Sequence, residues 1–333
     1  MILGIDIGGA NTKVASSDGT IVELHYIPLW KDTTLSNSLA DISERLEPTS
    51  VRVVTTGELA DCFTSKREGV QKIMDIVDSS FKCPIEYLGS DCKLSTKPAD
   101  ILTLAAANWT ASAMFVGQNY SDCVFVDVGS TTSDVIPIIC GRPIANTSDY
   151  LRLQNNELIY AGTLRTNLAA LAHTVQIVQS SSNSNTNTTD QANSQACATS
   201  SELFATTGDV YLLLGDITTK QYTCETADGA GKSLVDARRR IARFVCADLE
   251  EINNVQLTQI AKQIKEAQIE GLTRAIKIVC KRTGVNIVVG TGLGEFLIAE
   301  AAKRAGMEFI SISSIYGKKI SMVFPAYAVA NIS

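Results

Sequence analysis

Histidine is nearly missing from this sequence. His25 and His173 are the only two, and none of the nine cysteines (Cys62, Cys83, Cys92, Cys123, Cys140, Cys197, Cys224, Cys246 and Cys280) forms a CxxC pair. A Cys/His zinc site is therefore not expected. Several of these cysteines fall inside apolar stretches, where the residue is a small buried hydrophobe. That usage points to a reduced, cytoplasmic protein. Basic charge is also short. The net charge is −6, which gives no electrostatic reason to expect a nucleic-acid partner. No run of 18 apolar residues is present, so no membrane-spanning helix is expected. The start, "MILGIDIGG", has no basic stretch and reaches Asp6 early, unlike a signal peptide. With 333 residues, 45% of them hydrophobic, the chain is long enough for two domains of ordinary size.

What the sequence does have is glycine at the ends of apolar strands. "GIDIGGANTKVASSDGT" (residues 4–20) reads strand, Gly turn, strand, Asp-Gly turn, and "TIVELHYI" continues as a third strand. In a dinucleotide-binding fold the Gly-rich turn opens a helix. Here it opens a β-hairpin, and the third Gly of GxGxxG is missing, so a Rossmann reading is poor.

The pattern recurs. "VFVDVGSTTSDVIPIICGRPI" (residues 124–144) again runs strand, Asp-x-Gly, hydroxyl-rich turn, strand. Aligning the two blocks sets Asp6 on Asp127, Gly8 on Gly129, Thr12 on Ser133 and Lys13 on Asp134, 121 residues apart. Two such blocks predict an internally duplicated α/β architecture with a phosphate-facing hairpin in each half. The expected division is 1–120 for the first half and 121–333 for the second. A third turn, "VVGTGLGEF" (288–296), opens a helix, whose N-terminus favours an anion or the polar edge of a ligand.

Between these blocks, "VRVVTTGEL" predicts a strand ending at a turn, and "EGVQKIMDIVDSSF" a helix. "ADILTLAAANWTASAMFVG" predicts one buried helix, and a long helical stretch ends at Gly284. In "SLVDARRRIARFVCADLEEI", Ser233 and Asp236 form a capping pair, and Ile241, Val245, Leu249 and Ile252 an apolar face. Arg238, Arg239, Arg240 and Arg243 are expected to be mostly solvated. "DGAGKS" mimics the end of a P-loop, but Thr226 stands where GxxxxGK[ST] needs Gly, so that reading is rejected. Residues 179–201 are low complexity and are expected to form a flexible surface loop.

The strand-end turns carry the expected chemistry. Backbone N–H groups at Gly8, Gly9, Gly129 and Ser130 can cradle phosphate, with Asn11, Thr12, Thr131 and Thr132 beside them. Asp6 and Asp127 are the candidate Mg²⁺ ligands. Lys13 is expected to neutralise a leaving phosphate. Asp134 and Glu58 are the candidate general bases. Each has a bland alternative as a turn or salt-bridge residue. Arg165 in "YAGTLRT" can bind a carboxylate or phosphate by its planar fork, or form a surface ion pair. Gly292 and Gly294 are candidate ligand contacts in the third turn. Trp109 is expected in the core.

The blocks "GIDIGGANTKVASSDG", "TTGELADCFTSKREGV", "AANW", "FVDVGSTTSDVIPI", "YAGTLRT", "LFATTGDVYLLLGD", "TADGAGKSLVDARRRIARFVCADLE" and "VVGTGLGEFL" together resemble the hydantoinase/oxoprolinase-related proteins linked to tetrahydromethanopterin-dependent one-carbon metabolism. The resemblance covers nearly the whole chain outside 179–201. It implies a duplicated actin/sugar-kinase/Hsp70-like fold. It also implies an enzyme of methanofuran-type cofactor biosynthesis, in which the phenol of a tyramine-type substrate attacks an aminomethyl-furanmethanol diphosphate, an aryl ether forms and diphosphate leaves. Small-molecule substrates and Mg²⁺ are implied, and oligomeric state is left open, a homo-oligomer included. Because this fold most often handles ATP, an ATP-dependent kinase or hydrolase is the alternative, and a nucleotide-binding module without turnover a third reading.

Overall fold

The computed structural model describes residues 1–31, 34–178 and 194–332. The first block folds as β1 (Ile2–Gly8), β2 (Asn11–Ser16) and β3 (Val22–Tyr26), followed by α1 (Thr34–Leu46), β4 (Ser50–Thr56), α2 (Lys66–Ser80), β5 (Ile85–Leu88) and β6 (Leu94–Ser95). These strands form one sheet in the order β3-β2-β1-β4-β5-β6. β1 runs antiparallel to β2 and parallel to β4, which makes it central and explains its nearly continuous apolar run. α2 starts where Ser65 accepts a hydrogen bond from the Glu68 N–H at 3.2 Å.

The predicted single helix over 99–117 is broken. A 3₁₀ turn covers Ile101–Leu104, and α3 runs only Asn108–Gly117. Ala106, at φ 51°, sits in the left-handed region and ends the helical path.

The second block repeats the first. β7 (Cys123–Val128) pairs antiparallel with β8 (Ser133–Ile139), and β9 (Arg142–Pro143) pairs with β8 after a tight turn at Cys140–Gly141. Then come α4 (Asp149–Gln154), β10 (Leu158–Ile159), β11 (Thr174–Val178), β12 (Ser194–Ala198), α5 (Thr207–Leu214), α6 (Leu234–Phe244) and α7 (Asn254–Thr283). The chain closes with β13 (Ile287–Thr291), α8 (Glu295–Ala305), β14 (Glu308–Ser311), α9 (Ile312–Tyr316), α10 (Lys318–Met322) and α11 (Phe324–Asn331). The second sheet has the order β10-β8-β7-β13-β14, with β13 parallel to both β7 and β14. Both sheets thus share one plan: an antiparallel hairpin on one side of a central strand and parallel strands on the other. This is the duplicated actin/sugar-kinase/Hsp70-like fold.

The boundary expected at residue 120 separates the two sheets, but the compact units are drawn differently. One unit holds Met1–Val128, Ser133–Ile159 and Thr273–Ser333, and so contains both sheets. In it, α11 lies directly on β1, because a Cβ at Gly4 would overlap the Ala326 carbonyl. The other unit holds Gly129–Thr132 and Tyr160–Leu272.

In this second unit three expectations change. Of the low-complexity segment, residues 179–193 lie outside the described residues, but 194–198 are not a loop: they form β12, paired antiparallel with β11. α6 carries the expected Ser233–Asp236 capping box but stops at Phe244. Cys246 has φ 56°, so Val245, Leu249 and Ile252 leave the helical face and Leu249 is exposed. Arg240 is fully buried rather than solvated. Asp209 Oδ1 accepts from its Nε and Nη2 at 3.0 and 2.7 Å, and Asp228 Oδ1 from Nη1 at 3.0 Å.

Candidate active site

The duplicated hairpins put equivalent residues in equivalent register. Asp6 faces Lys13 across β1 and β2, and Asp127 faces Asp134 across β7 and β8. In the first hairpin the pair is an acid and a base, and Lys13 Nζ donates to Asp6 Oδ2 at 3.0 Å. Asp6 is buried, and among the described residues its Oδ1 has no hydrogen-bond partner. Burial alone would lower the proton affinity of Lys13, but Asp6, Asp127 and Asp134 together hold it above its ordinary value. Lys13 is a committed cation among three carboxylates.

The second hairpin sets two acids opposite each other, an unfavourable cross-strand pair. Burial is the main force pushing the Asp127 carboxyl up to about 7. Lys13 opposes it, while Asp134, Asp6 and Glu295 add to it. Asp134 escapes the conflict through Arg152, whose Nη2 donates to Asp134 Oδ1.

Arg152, only 2% exposed, was not visible in the sequence. It also donates to Asp149 Oδ1 at 3.1 Å and to the Glu157 carbonyl at 3.3 Å, and its guanidinium lies 4.9 Å from the Trp109 ring centre. Trp109 is in the core as expected. Asp134 is therefore an anchored ion-pair partner, an arrangement that argues against its candidacy as a free base.

Glu58 behaves differently. It follows the end of β4, beside the Gly8 turn: a Cβ on the neighbouring Gly57 would stand 3.4 Å from the Gly8 carbonyl carbon. Glu58 is 2% exposed, and among the described residues its Oε2 has no hydrogen-bond partner. Its carboxyl is pushed up to about 7, chiefly by burial. Its own N–H and that of Ala106 hold it down, Asp149 raises it and Lys66 lowers it. The left-handed backbone at Ala106 gives that donated N–H a structural reason.

The third turn closes on Asp127. Gly292 has φ 96°, and a Cβ there would overlap Asp127 Oδ1 and stand 2.6 Å from the Val128 carbonyl oxygen. The Gly294 N–H donates to that same carbonyl at 2.9 Å and opens α8. Glu295, also not singled out in the sequence, is saturated by hydroxyls. Ser311 Oγ and Ser313 Oγ donate to Oε1, the latter at 2.8 Å, and Ser321 Oγ donates to Oε2 at 3.1 Å. It pins the strand and helices that follow.

The two phosphate-type turns are braced alike. In the first, the Gly9 and Ala10 carbonyls accept from Leu29 and Ile27 N–H at 2.9 and 3.0 Å. Thr12 is fully buried, and among the described residues its hydroxyl and the Asn11 side-chain oxygen have no hydrogen-bond partner. In the second unit, the Gly129 carbonyl accepts from Thr163 N–H at 2.9 Å, and the Ser130 carbonyl from Leu164 and Arg165 N–H at 3.0 Å. Tying the carbonyls back leaves the N–H groups of Ser130, Thr131 and Thr132 without a backbone acceptor among the described residues. Arg165 is exposed beside this turn.

Among the described residues no three His, Cys, Asp or Glu side chains converge to cage a metal. The orphaned, buried Asp6 Oδ1 and the raised Asp127 carboxyl nevertheless suit Mg²⁺. That ion takes one or two carboxylates and fills its other positions with water and phosphate.

A family model described as Hydantoinase/oxoprolinase matches residues 50–333, and the chain belongs to that family. The chain is 38% identical over 339 residues to the (4-{4-[2-(gamma-L-glutamylamino)ethyl]phenoxymethyl}furan-2-yl)methanamine synthase of Methanocaldococcus jannaschii, covering 100% of this chain and 97% of the relative. It is 35% identical over 223 residues to the protein of the same name from Methanococcus vannielii, covering 66% of this chain and 94% of that one. It is an enzyme, as these synthase relatives are. Among solved structures, a ROK family glucokinase from Streptomyces griseus in complex with glucose and AMPPNP is 13% identical, with a TM-score of 0.48 over 98% of this chain and 97% of that one. Among the described residues no helix is long and apolar enough to cross a membrane.

Proposed function

We propose that this enzyme is a transferase that joins an aminomethyl-furanmethanol diphosphate to the phenol of a glutamyl-tyramine-type substrate, forming an aryl ether and releasing diphosphate. The observation that carries the reading is the similarity, over the full chain, to a synthase whose name describes a phenoxymethyl-furan-methanamine. In the reaction the phenol oxygen forms a bond to the furan methylene carbon, the C–O bond to diphosphate breaks, and the phenol proton must leave.

Each part has a residue suited to it. The N–H groups at Gly8 and Gly9 are offered to phosphate oxygens, as are those of Ser130, Thr131 and Thr132, whereas the Gly129 N–H donates to the Thr132 carbonyl at 3.0 Å and serves to shape the turn. Asn11 and Thr12 shape the first turn from inside. Lys13 counters the charge that builds on the departing diphosphate. Asp6 and Asp127 would hold Mg²⁺, which neutralises the leaving group when bound. Gly292 and Gly294 let the third turn lie against Asp127. Arg165 would bind a substrate carboxylate or phosphate. Glu58 is the better-suited proton acceptor: it has an unpartnered oxygen and a proton affinity near neutrality, whereas Asp134 is committed to Arg152.

The test is diphosphate release by the purified protein with Mg²⁺ and both organic substrates, each omitted in turn, beside an ATP-only control. Release that needs both substrates, with the ether detected by mass, supports the transferase. Turnover of ATP alone overturns it in favour of a kinase or hydrolase.

A further inference from the structure

We propose that Gln268 and Thr207 are positioning residues for diphosphate: both hydrogen-bond the Gly162 carbonyl and so hold the strip of chain on which the 129–132 turn is built. The inference rests on that turn cradling diphosphate in the proposed reaction.

The turn closes on itself through one backbone bond, from the Gly129 N–H to the Thr132 carbonyl at 3.0 Å. The strip 162–165 supplies the rest. The Thr163 N–H donates to the Gly129 carbonyl, and the Leu164 and Arg165 N–H groups donate to the Ser130 carbonyl. The strip also presses on the turn: a Cβ at Gly162 would stand 2.5 Å from the Thr131 nitrogen and 2.6 Å from the Ser130 carbonyl carbon. A shift of the strip therefore moves the turn, and with it the N–H groups of Ser130, Thr131 and Thr132 that would meet phosphate.

Gly162 is buried and anchors the strip. Its carbonyl oxygen has two lone pairs, and three donors converge on it. They are Thr207 Oγ1 at 2.9 Å, Gln268 Nε2 at 3.1 Å and Thr166 Oγ1 at 3.3 Å. The Gly162 N–H donates to Thr166 Oγ1 at 2.9 Å. Thr207 opens α5, and Tyr211, four residues on, shares its helical face. The Tyr211 hydroxyl donates to Gln268 Oε1 at 2.5 Å. That bond fixes the amide, because flipping it would set Oε1 against the Gly162 carbonyl. Gln268 comes from the middle of α7 and is 6% exposed, while Thr207 and Tyr211 are fully buried. A leucine would fill the Gln268 site without the cost of burying an amide. What the amide adds is a donor to the carbonyl behind the turn. Both residues act through Gly162 rather than on phosphate.

The experiment uses the full chain, with inorganic diphosphate as the probe. Calorimetry at fixed Mg²⁺ measures its affinity for Gln268→Leu, Thr207→Val and Thr207→Ser. Amide hydrogen exchange follows the 129–132 turn without ligand, and KM is measured for each organic substrate. Gln268→Leu and Thr207→Val should each weaken diphosphate binding by about tenfold and speed exchange in the turn. KM should rise for the furan diphosphate and stay unchanged for the phenol. Thr207→Ser keeps the hydroxyl and should restore most of the affinity that Thr207→Val loses. A purely structural role would raise both KM values alike. Thr207→Val keeps the proposal falsifiable if Gln268→Leu fails to fold. Diphosphate bound by the unmodified protein and equally well by the variants overturns the proposal alone. No binding by the unmodified protein overturns the turn as a diphosphate cradle, and the proposal falls with it.

Discussion

Replacing Arg152 by Met tests the buried network directly. The side-chain volume is roughly kept, so the change removes charge and hydrogen bonds more than packing. Arg152 is 2% exposed and pairs with both Asp134 and Asp149. Breaking a buried pair by removing one partner leaves the other charge uncompensated, at a cost of about 3–5 kcal/mol. The lost contact with Trp109 adds about 1 kcal/mol. Water reaching the partly open Asp149 offsets some of this, so we expect a loss of about 3 kcal/mol near neutral pH.

The pH dependence follows from the sign of the effect. Burial already raises the Asp149 carboxyl and Arg152 pulls it back. Without Arg152, the folded-state proton affinity of Asp149 rises further above that of the unfolded chain. A carboxyl of that kind destabilises the fold while ionised, and protonation relieves it. The deficit should therefore shrink as pH falls from about 8 to about 5. Urea unfolding followed by tryptophan fluorescence at both pH values measures it, with the Arg152→Met/Asp134→Asn double variant regaining about 1 kcal/mol or more. A deficit below about 1 kcal/mol, or one independent of pH, would refute the reading that Arg152 neutralises two carboxylates.

Three further outcomes are expected. Gly292→Ala forces a side chain into a left-handed position against Asp127 Oδ1; it should cost about 1–3 kcal/mol and cut turnover well before the far-ultraviolet circular dichroism changes. Lys13→Met should lower kcat/KM by about a hundredfold or more and weaken product inhibition by diphosphate, so an unchanged inhibition constant would remove Lys13 from the leaving-group site. Arg240→Met leaves the fully buried Asp209 without its main partner, and a thermal shift worth about 3–5 kcal/mol should appear in the unit that contains α6, with no change in the acid limb of activity.

The duplication was legible because its information is local. Strand-end glycines and the offset of 121 residues fix the hairpins, and the register Asp6 opposite Lys13 and Asp127 opposite Asp134 follows from turn length. Arg152 was not legible, since nothing in "SDYLRLQ" separates a buried arginine from a surface one. Its burial depends on Asp134, which arrives from β8. Arg240 did carry a signal: Ala237, Arg240, Ile241 and Phe244 share one helical stripe and are all buried. The break at Ala106 was hidden because alanine favours helix, so its residue type gives no sign of the left-handed backbone it adopts. β12 was hidden for a similar reason, since "SQACA" has no strand pattern and is ordered by pairing with β11.

The charge pattern around the first hairpin bears on the proposed metal. Within that unit, Lys13 balances Asp6, Arg152 balances Asp134, and hydroxyls screen Glu295. Among the described residues Asp127 has no cation paired with it, and it shares the Lys13 field. A diphosphate group carries several negative charges and would arrive where the protein already has at least one carboxylate to spare. Lys13 alone cannot serve both Asp6 and the ligand at full strength. If Asp6 and Asp127 hold Mg²⁺, the dication removes this repulsion, and diphosphate affinity should depend on it steeply. Calorimetric titration with inorganic diphosphate, with Mg²⁺ and with chelator, should show affinity falling by about a hundredfold or more without the ion, a coupling of about 3 kcal/mol. Asp127→Asn should shrink that difference while leaving the chelated affinity equal or slightly higher, because a like charge has gone. Equal affinity with and without Mg²⁺ in the unmodified protein would mean that Lys13 and the backbone N–H groups suffice, and that Asp127 serves some purpose other than holding a metal.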